Sequence, residues 1–191
     1  NQNIFENINF NFNLRENNYL FQEIKLEVNQ VNFTSDIIRA KKNNNNFILE
    51  GMLENKKFIL NKNLSKLLNL DFPSIDLEDT SFKSKNKFFL EINNKFDIKN
   101  FELDSDLILD QFNYVQPDLF NKYLLNSNDI IIFRDHNIKL KYINNQISIE
   151  GTGKVKLGNN FDDIKYLISK KENNFNIISN VNLENLNLKK N

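Results

Sequence analysis

Residues 101–110 alternate between large apolar and acidic side chains, and this pattern constrains the fold more than any other stretch. The apolar side chains occupy odd positions: Phe101, Leu103, Leu107 and Leu109. The acidic side chains occupy even positions: Glu102, Asp104, Asp106 and Asp110. Successive side chains of a strand point to opposite faces. The stretch is therefore predicted to be a strand with one apolar and one charged face, Ser105 being the only polar residue on the apolar side.

The composition excludes several classes of protein. The 191 residues contain 25 Lys and Arg against 25 Asp and Glu, so the chain lacks the positive charge that phosphate binding requires, and we expect no nucleic-acid partner. Cys is absent, which removes disulfides, thiol nucleophiles and thiolate metal sites. No run reaches the ~18 apolar residues of a membrane span. Because the chain begins with Asn1, we expect it to be part of a longer protein, with any anchor or export signal outside it.

Most other segments repeat the alternation of residues 101–110. Two antiparallel hairpins are predicted near the start, where polar turns separate alternating runs. Further strands are predicted along the rest of the chain, at residues 88–92, 130–133, 138–142, 147–156 and 175–188. Consecutive strands with the same sidedness favour one long curved antiparallel sheet, an open groove that is mainly β.

Three segments have apolar residues at helical spacing instead. Residues 64–70 and 117–125 are predicted helices, the first ended by Pro73 and the second begun by Pro117. Residues 161–169 are a third helical candidate, for which a strand is the alternative. The predicted fold therefore includes two or three short helices.

Two hairpins are similar in sequence at an interval of 100 residues. Residues 38–42, an Asn-rich turn and residues 47–51 resemble residues 138–142, Asn144-Asn145 and residues 147–151, and both end in Glu-Gly. Such spacing is typical of repeat architectures. We predict one segment over residues 1–191, with two similar units of about 100 residues, 1–100 and 101–191, as the finer hypothesis.

No constellation of residues predicts an enzyme, a cofactor or a metal site. The single histidine, His136, stands in a polar stretch and is expected to be a solvated turn residue, since no second histidine or cysteine accompanies it. The carboxylates of residues 102–110 are interpreted as a charged outer face rather than a calcium ladder, because no tight glycine-containing loop holds them. Gly151 and Gly153 lack the remainder of a phosphate loop and are expected to permit a bulge or a close approach of chains.

A sheet with one apolar face must cover that face or leave it open as a trough. Eight residues are predicted to face inward: Phe101, Leu103, Leu107, Leu109, Ile138, Leu140, Ile147 and Ile149. Phe is abundant and Trp absent, and Phe has no polar group that needs a partner, so it suits a lining for acyl chains as well as a dry core.

Residues 147–157, 163–168 and 181–188, together with the Asn-rich turns, resemble the AsmA-like family, especially its YhdP-like branch. The resemblance implies a segment of a periplasmic protein, anchored in the inner membrane by a helix outside this chain, whose β-groove carries phospholipid acyl chains between the inner and outer membranes. It also implies no catalytic residues. The alternative is a structural or adhesive β-domain of a surface protein, with an apolar face filled by its own side chains.

Overall fold

Every regular element that the structure describes is a β-strand. The computed structural model describes residues 5–16, 18–28, 31–60, 75–76, 80–115, 130–157, 160–171 and 174–182. The strands are β1 (Phe5–Arg15), β2 (Asn18–Val28), β3 (Val31–Asn43), β4 (Asn46–Ile59), β5 (Ile75–Asp76), β6 (Ser81–Asn93), β7 (Ile98–Val115), β8 (Ile130–Ile143), β9 (Gln146–Lys156), β10 (Phe161–Lys171) and β11 (Asn174–Asn182).

All strands belong to one antiparallel sheet in which consecutive long strands are neighbours. Its order is β1-β2-β3-β4-β6-β7-β8-β9-β10-β11, and the two-residue β5 pairs with β7. Within the described part of the chain no ladder joins β1 to β11, so the sheet is open. The prediction of a mainly β protein built on a long open antiparallel sheet is confirmed.

Of the three predicted helices, one is a strand and two lie outside the described residues. Residues 161–169 belong to β10, whose residues pair in unbroken register with both β9 and β11, so the helix predicted there is wrong and the strand alternative is correct. Cross-strand partners on both sides supply the backbone hydrogen bonds that a helix would otherwise have supplied locally. The other two candidates, at 64–70 and 117–125, lie outside the described residues.

The two similar hairpins have the same register. In β3 and β4, Ile38 pairs with Gly51 around a turn at Asn44 and Asn45; in β8 and β9, Ile138 pairs with Gly151 around a turn at Asn144 and Asn145. Asn44, Asn144 and Asn145 have positive φ, which two-residue hairpin turns favour and asparagine tolerates. We call the side of the sheet where the strands end in these turns the turn end, and the side at the opposite ends of the strands the loop end. The division into two units, 1–100 and 101–191, stays a prediction.

Bulges interrupt the ladders near the middle of several strands. In β8 the register with β9 shifts between Arg134 and Asn137, and Asp135 has a φ of 54°. Glu23 in β2 also has positive φ, and β3 and β4 contain further shifts. A bulge bends its strand and changes the phase of alternation. Phe133 and His136, three residues apart, therefore have rings on the same face, with centroids 5.5 Å apart.

The sheet has one apolar and one charged face, defined by Leu107 and Asp106 respectively. Two buried clusters lie on the apolar face toward the loop end. The first contains Val31 and Leu60, packed by Phe33, Phe58 and Phe82. The second contains Ile131, Val155 and Ile164, packed by Tyr114, Phe133, Leu157, Tyr166 and Val181. The loop-end half of the apolar face is thus a packed core.

Candidate functional site

All eight residues predicted to face inward lie on the apolar face, most of them toward the turn end; Leu109, opposite Phe82 and His136, borders the packed core. Cross-strand partners share a face, and the register pairs Leu107 with Ile138 and Leu140 with Ile149. Ile147 lies opposite Tyr142, which lies opposite Leu103. We call these eight residues, Phe101, Leu103, Leu107, Leu109, Ile138, Leu140, Ile147 and Ile149, the open strip.

The open strip is neither buried nor fully solvated. None of its members is fully buried; seven are half-buried, and Phe101 is 37% exposed. The apolar face continues beyond it to β1, where Phe12 and Leu14 are 54% and 57% exposed, and to β11, where Ile177 is 66% exposed. Contiguous exposed apolar surface of this kind marks binding surfaces on folded proteins. Whether the strip binds lipid stays a prediction.

Asp104 and Asp106 of β7 lie opposite lysines of both neighbouring strands on the charged face. One cross-strand row alternates in sign over five strands, through Glu54, Lys85, Asp106, Lys139 and Glu150. Lys85 Nζ lies 3.0 Å from Glu54 Oε1.

A second row places Asp104 between Lys87 and Lys141, whose Nζ is 3.8 Å from Asp104 Oδ2. Opposite charges across a ladder stabilise it modestly, by about 0.2–1 kcal/mol per pair. No group of side chains in the described ranges could hold a metal ion. These rows are the arrangement expected of a charged outer face.

A short polar row crosses the apolar face at mid-strand. The Ser84 hydroxyl donates to Asn55 Oδ1 at 2.9 Å, and Asn86 Nδ2 donates to Ser84 Oγ at 2.8 Å and to the Leu53 carbonyl at 3.1 Å. Ser105, opposite Asn86 in β7, is 2% exposed, and its hydroxyl has no hydrogen-bond partner. Of these polar residues, the sequence pattern identifies only Ser105, as the one polar residue on the apolar side of residues 101–110.

His136 is a buried strand residue, so the prediction of a solvated turn histidine is wrong. Its side chain is 0% exposed in β8. Nε2 lies 3.2 Å from the Lys154 carbonyl and Nδ1 lies 3.2 Å from the Tyr166 hydroxyl. Because a carbonyl only accepts, Nε2 carries the proton, and Nδ1 accepts from Tyr166. The polar neighbours that suggested a turn, Arg134, Asp135 and Asn137, are exposed on the same strand.

The rings of Phe112, Phe133, His136 and Tyr166 form an aromatic cluster between the packed core and the open strip. Phe112 and Phe133 stack with centroids 4.8 Å apart, and both meet His136 edge-on. Burial lowers the pKa of His136, against a smaller opposing effect of the Lys154 carbonyl and Asp135. Burial raises the pKa of Tyr166 to about 12. The pair is therefore neutral at pH 7.

Gly151 and Gly153 make room for this pair. A Cβ on Gly153 would lie 2.6 Å from Cγ and Nε2 of His136, and a Cβ on Gly151 would overlap the Tyr166 ring. In either position a real side chain would fit only if the neighbouring ring moved. From the sequence, these glycines are expected to permit a bulge or a close approach of chains. Each permits a close approach, and the group that approaches is a ring from a neighbouring strand.

The His136 environment predicts acid sensitivity. Well above pH 6.5 both folded and unfolded chains hold the histidine neutral; as the pH falls through 6.5, the unfolded chain takes up the proton first because the folded pKa is lower. The urea midpoint should therefore fall as the pH is lowered from about 7.5 to about 5.5.

The matched control for acid sensitivity is His136→Gln, which retains a donor and an acceptor but does not titrate. Since His136 is the only histidine, this variant should lose the dependence on pH over that range. An equal slope in both proteins would contradict the assignment of the titration to His136.

Together these features define an antiparallel β-protein whose open sheet has a packed loop end, a partly exposed apolar turn end and a charged outer face. Comparisons of the chain with protein-family models, with curated proteins and with solved structures find no match. Among the described residues, no helix is long and apolar enough to cross a membrane.

Proposed function

We propose that the chain is a segment of a periplasmic lipid-transfer protein of the AsmA-like type, and that the open strip binds phospholipid acyl chains. In this proposal a part of the protein outside the chain anchors it to the inner membrane, and the sheet carries lipid toward the outer membrane. The observation that carries the proposal is the sidedness of the sheet: large apolar side chains cover one face from β1 to β11 and remain partly exposed near the turn end.

The dimensions of the sheet suit an acyl chain. Ten strands spaced about 4.8 Å apart extend over about 43 Å. An acyl chain of one bilayer leaflet occupies about half of the ~30 Å hydrocarbon core. A chain lying across the strands would contact several of the strip's side chains at once.

The energetics also favour an acyl ligand. Each methylene removed from water contributes about 0.8 kcal/mol, so a C16 chain would gain on the order of 10 kcal/mol before the cost of immobilising it. The described apolar face provides aliphatic and Phe side chains for this contact, and the polar row of Asn55, Ser84 and Asn86 crosses it at mid-strand. On β7, Glu102, Asp104 and Asp106 lie on the opposite face.

Adjacent residues of β7 give a matched test of the proposed function. Leu107→Asp places a charge in the open strip, whereas Ile108→Asp places the same charge on the opposite, charged face, where Ile108 is 37% exposed. We expect Leu107→Asp to weaken binding of the fluorescent probe parinaric acid at least about tenfold, because a charge beside an acyl chain is poorly solvated. Ile108→Asp should bind like the wild type. Equal binding by all three proteins would refute the strip as the site.

Urea melts and lipid extraction complete the test. If the strip is an open surface, Leu107→Asp should lower the free energy of unfolding by only about 1 kcal/mol, and native mass spectrometry of the purified protein should reveal bound acyl chains.

The second candidate, a structural or adhesive β-domain, is favoured by the packed clusters around Val31 and Val155 at the loop end. It predicts a cost of several kcal/mol for Leu107→Asp and no bound lipid.

A further inference from the structure

The two outermost strands of the sheet have few of the features that usually prevent edge pairing. Proteins protect edges with charges, prolines, bulges or a covering element, because an unpaired strand is a template for another strand. Between Asn174 and Asn182, β11 has no charged residue and no proline. The sequence of β1 has one charged residue near each end, Glu6 and Arg15, and its register shifts twice between Glu6 and Asn11, so the regular part of this edge is residues 11–15.

Both edges also expose large apolar side chains on the apolar face. In β1, Phe10 and Phe12 pack against Phe21 of β2, with ring centroids 5.3 and 5.4 Å apart, but remain 44% and 54% exposed. In β11, Ile177 lies on the same face, because it pairs with Ile168, which pairs with Ile149 of the open strip. Within the described residues neither strand has a ladder partner on its outer side.

The number of strands makes the two edges compatible with each other. The path from β1 to β11 contains ten strands, each antiparallel to the next, so β1 and β11 run in opposite directions. A second copy displaced along the sheet would therefore place its β1 antiparallel to β11 of the first, with the apolar faces on the same side.

The side chains of the two edges match in this arrangement. Aromatic residues of β1 would lie beside β-branched residues of β11, a favourable cross-strand combination. The opposite face of both strands is rich in asparagine, and these amides can bond across the junction: Asn9, Asn11, Asn13, Asn176, Asn180 and Asn182. Pairing β11 with β1 gives the backbone groups of both edge strands of each copy a hydrogen-bond partner. Pairing β1 with β1, or β11 with β11, leaves one edge strand of each copy unpaired.

We propose that copies of this chain associate head to tail, β11 of one copy pairing with β1 of the next, so that sheet and apolar face continue from copy to copy. This is strand addition of the kind seen in peptide recognition, in which main-chain hydrogen bonds give the affinity. Because the contact is heterologous and need not close, it generates open chains of copies. The proposal does not depend on lipid binding.

Cysteine cross-linking tests the proposal directly, because the chain has no cysteine of its own. Asn180→Cys is mixed with Asn9→Cys, Asn11→Cys or Asn13→Cys and oxidised mildly. A disulfide needs Cα atoms within about 7 Å, so we expect one of the three mixtures to link best and each protein alone to link poorly. Absence of linking in every mixture would overturn the proposal, and equal linking by the single variants would show a symmetric contact instead.

Sedimentation velocity gives an independent readout on the full chain. The wild type should increase in mass from about 1 to about 200 μM, as expected for a small interface. Ile177→Lys, which charges the β11 edge, should weaken association at least about tenfold. The control Leu167→Lys alters a residue of similar type on the charged face of β10, 39% exposed, and should associate like the wild type. A wild type that stays monomeric throughout would refute the proposal.

Discussion

Replacing Gly153 with alanine is expected to lower the free energy of unfolding by about 2–3 kcal/mol, although alanine is ordinarily the more favourable residue in a strand. The added Cβ would lie 2.6 Å from Cγ of His136, whose ring is completely buried and held by hydrogen bonds to Lys154 and Tyr166. The ring cannot swing into solvent without breaking both bonds. Urea denaturation of wild type and variant measures the effect.

A double-mutant cycle identifies the cause. If the clash with the ring is responsible, Gly153→Ala should cost little in a protein that already carries His136→Ala, because the ring that it strikes is gone. An equal cost in both backgrounds would show that Gly153 is required by the backbone rather than by the histidine. Gly151→Ala, which strikes the more exposed Tyr166 ring, should have a smaller effect than Gly153→Ala.

Val155→Asp should have the largest effect on stability of any variant considered, about 4–5 kcal/mol. Val155 is 2% exposed and lies in the buried cluster with Ile131 and Ile164. An aspartate there would lose the apolar contact and bury a charge without a partner. Since domains of this size are stable by only about 5–15 kcal/mol, the variant should lose a third or more of its stability and melt at a clearly lower temperature, which circular dichroism melts would show.

Two comparisons control this result. Val115→Asp introduces the same change at a site that is 41% exposed and should cost less than about 1 kcal/mol. Ile149→Asp lies in the same strand as Val155 but within the open strip, and its cost should fall between the two. A cost at Ile149 as large as that at Val155 would mean that the turn-end half is packed as tightly as the loop-end half.

The sidedness of the sheet could be predicted from the sequence because it depends on a local pattern. Alternation in residues 101–110 assigned Leu107 and Asp106 to opposite faces, and no knowledge of distant residues was needed. The Asn turns likewise located the hairpins of β3–β4 and β8–β9. Residues 161–169 were ambiguous because Phe161, Ile164 and Ile168 fit a helical spacing, and only the ladders with β9 and β11 decide for the strand.

The surroundings of His136 could not be predicted, because they depend on a bulge and on register. Asp135 lies in the bulge, which adds an extra residue to the strand and so turns His136 toward the apolar face although its neighbours are polar. Its hydrogen-bond partner Tyr166 is 30 residues away in sequence. The nearest signal in the sequence was the pair Gly151 and Gly153 inside a strand, which indicates that something must approach the backbone, without indicating what.

The meander of the sheet affects how the protein acquires its structure. Every ladder between long strands joins neighbours in sequence, so each hairpin can nucleate alone and growth can proceed outward by adding one strand at a time. Cooperativity is then one-dimensional: amide hydrogen exchange should be fastest in β1 and β11 and slowest in β7 to β9, and damage at one edge should leave distant strands protected.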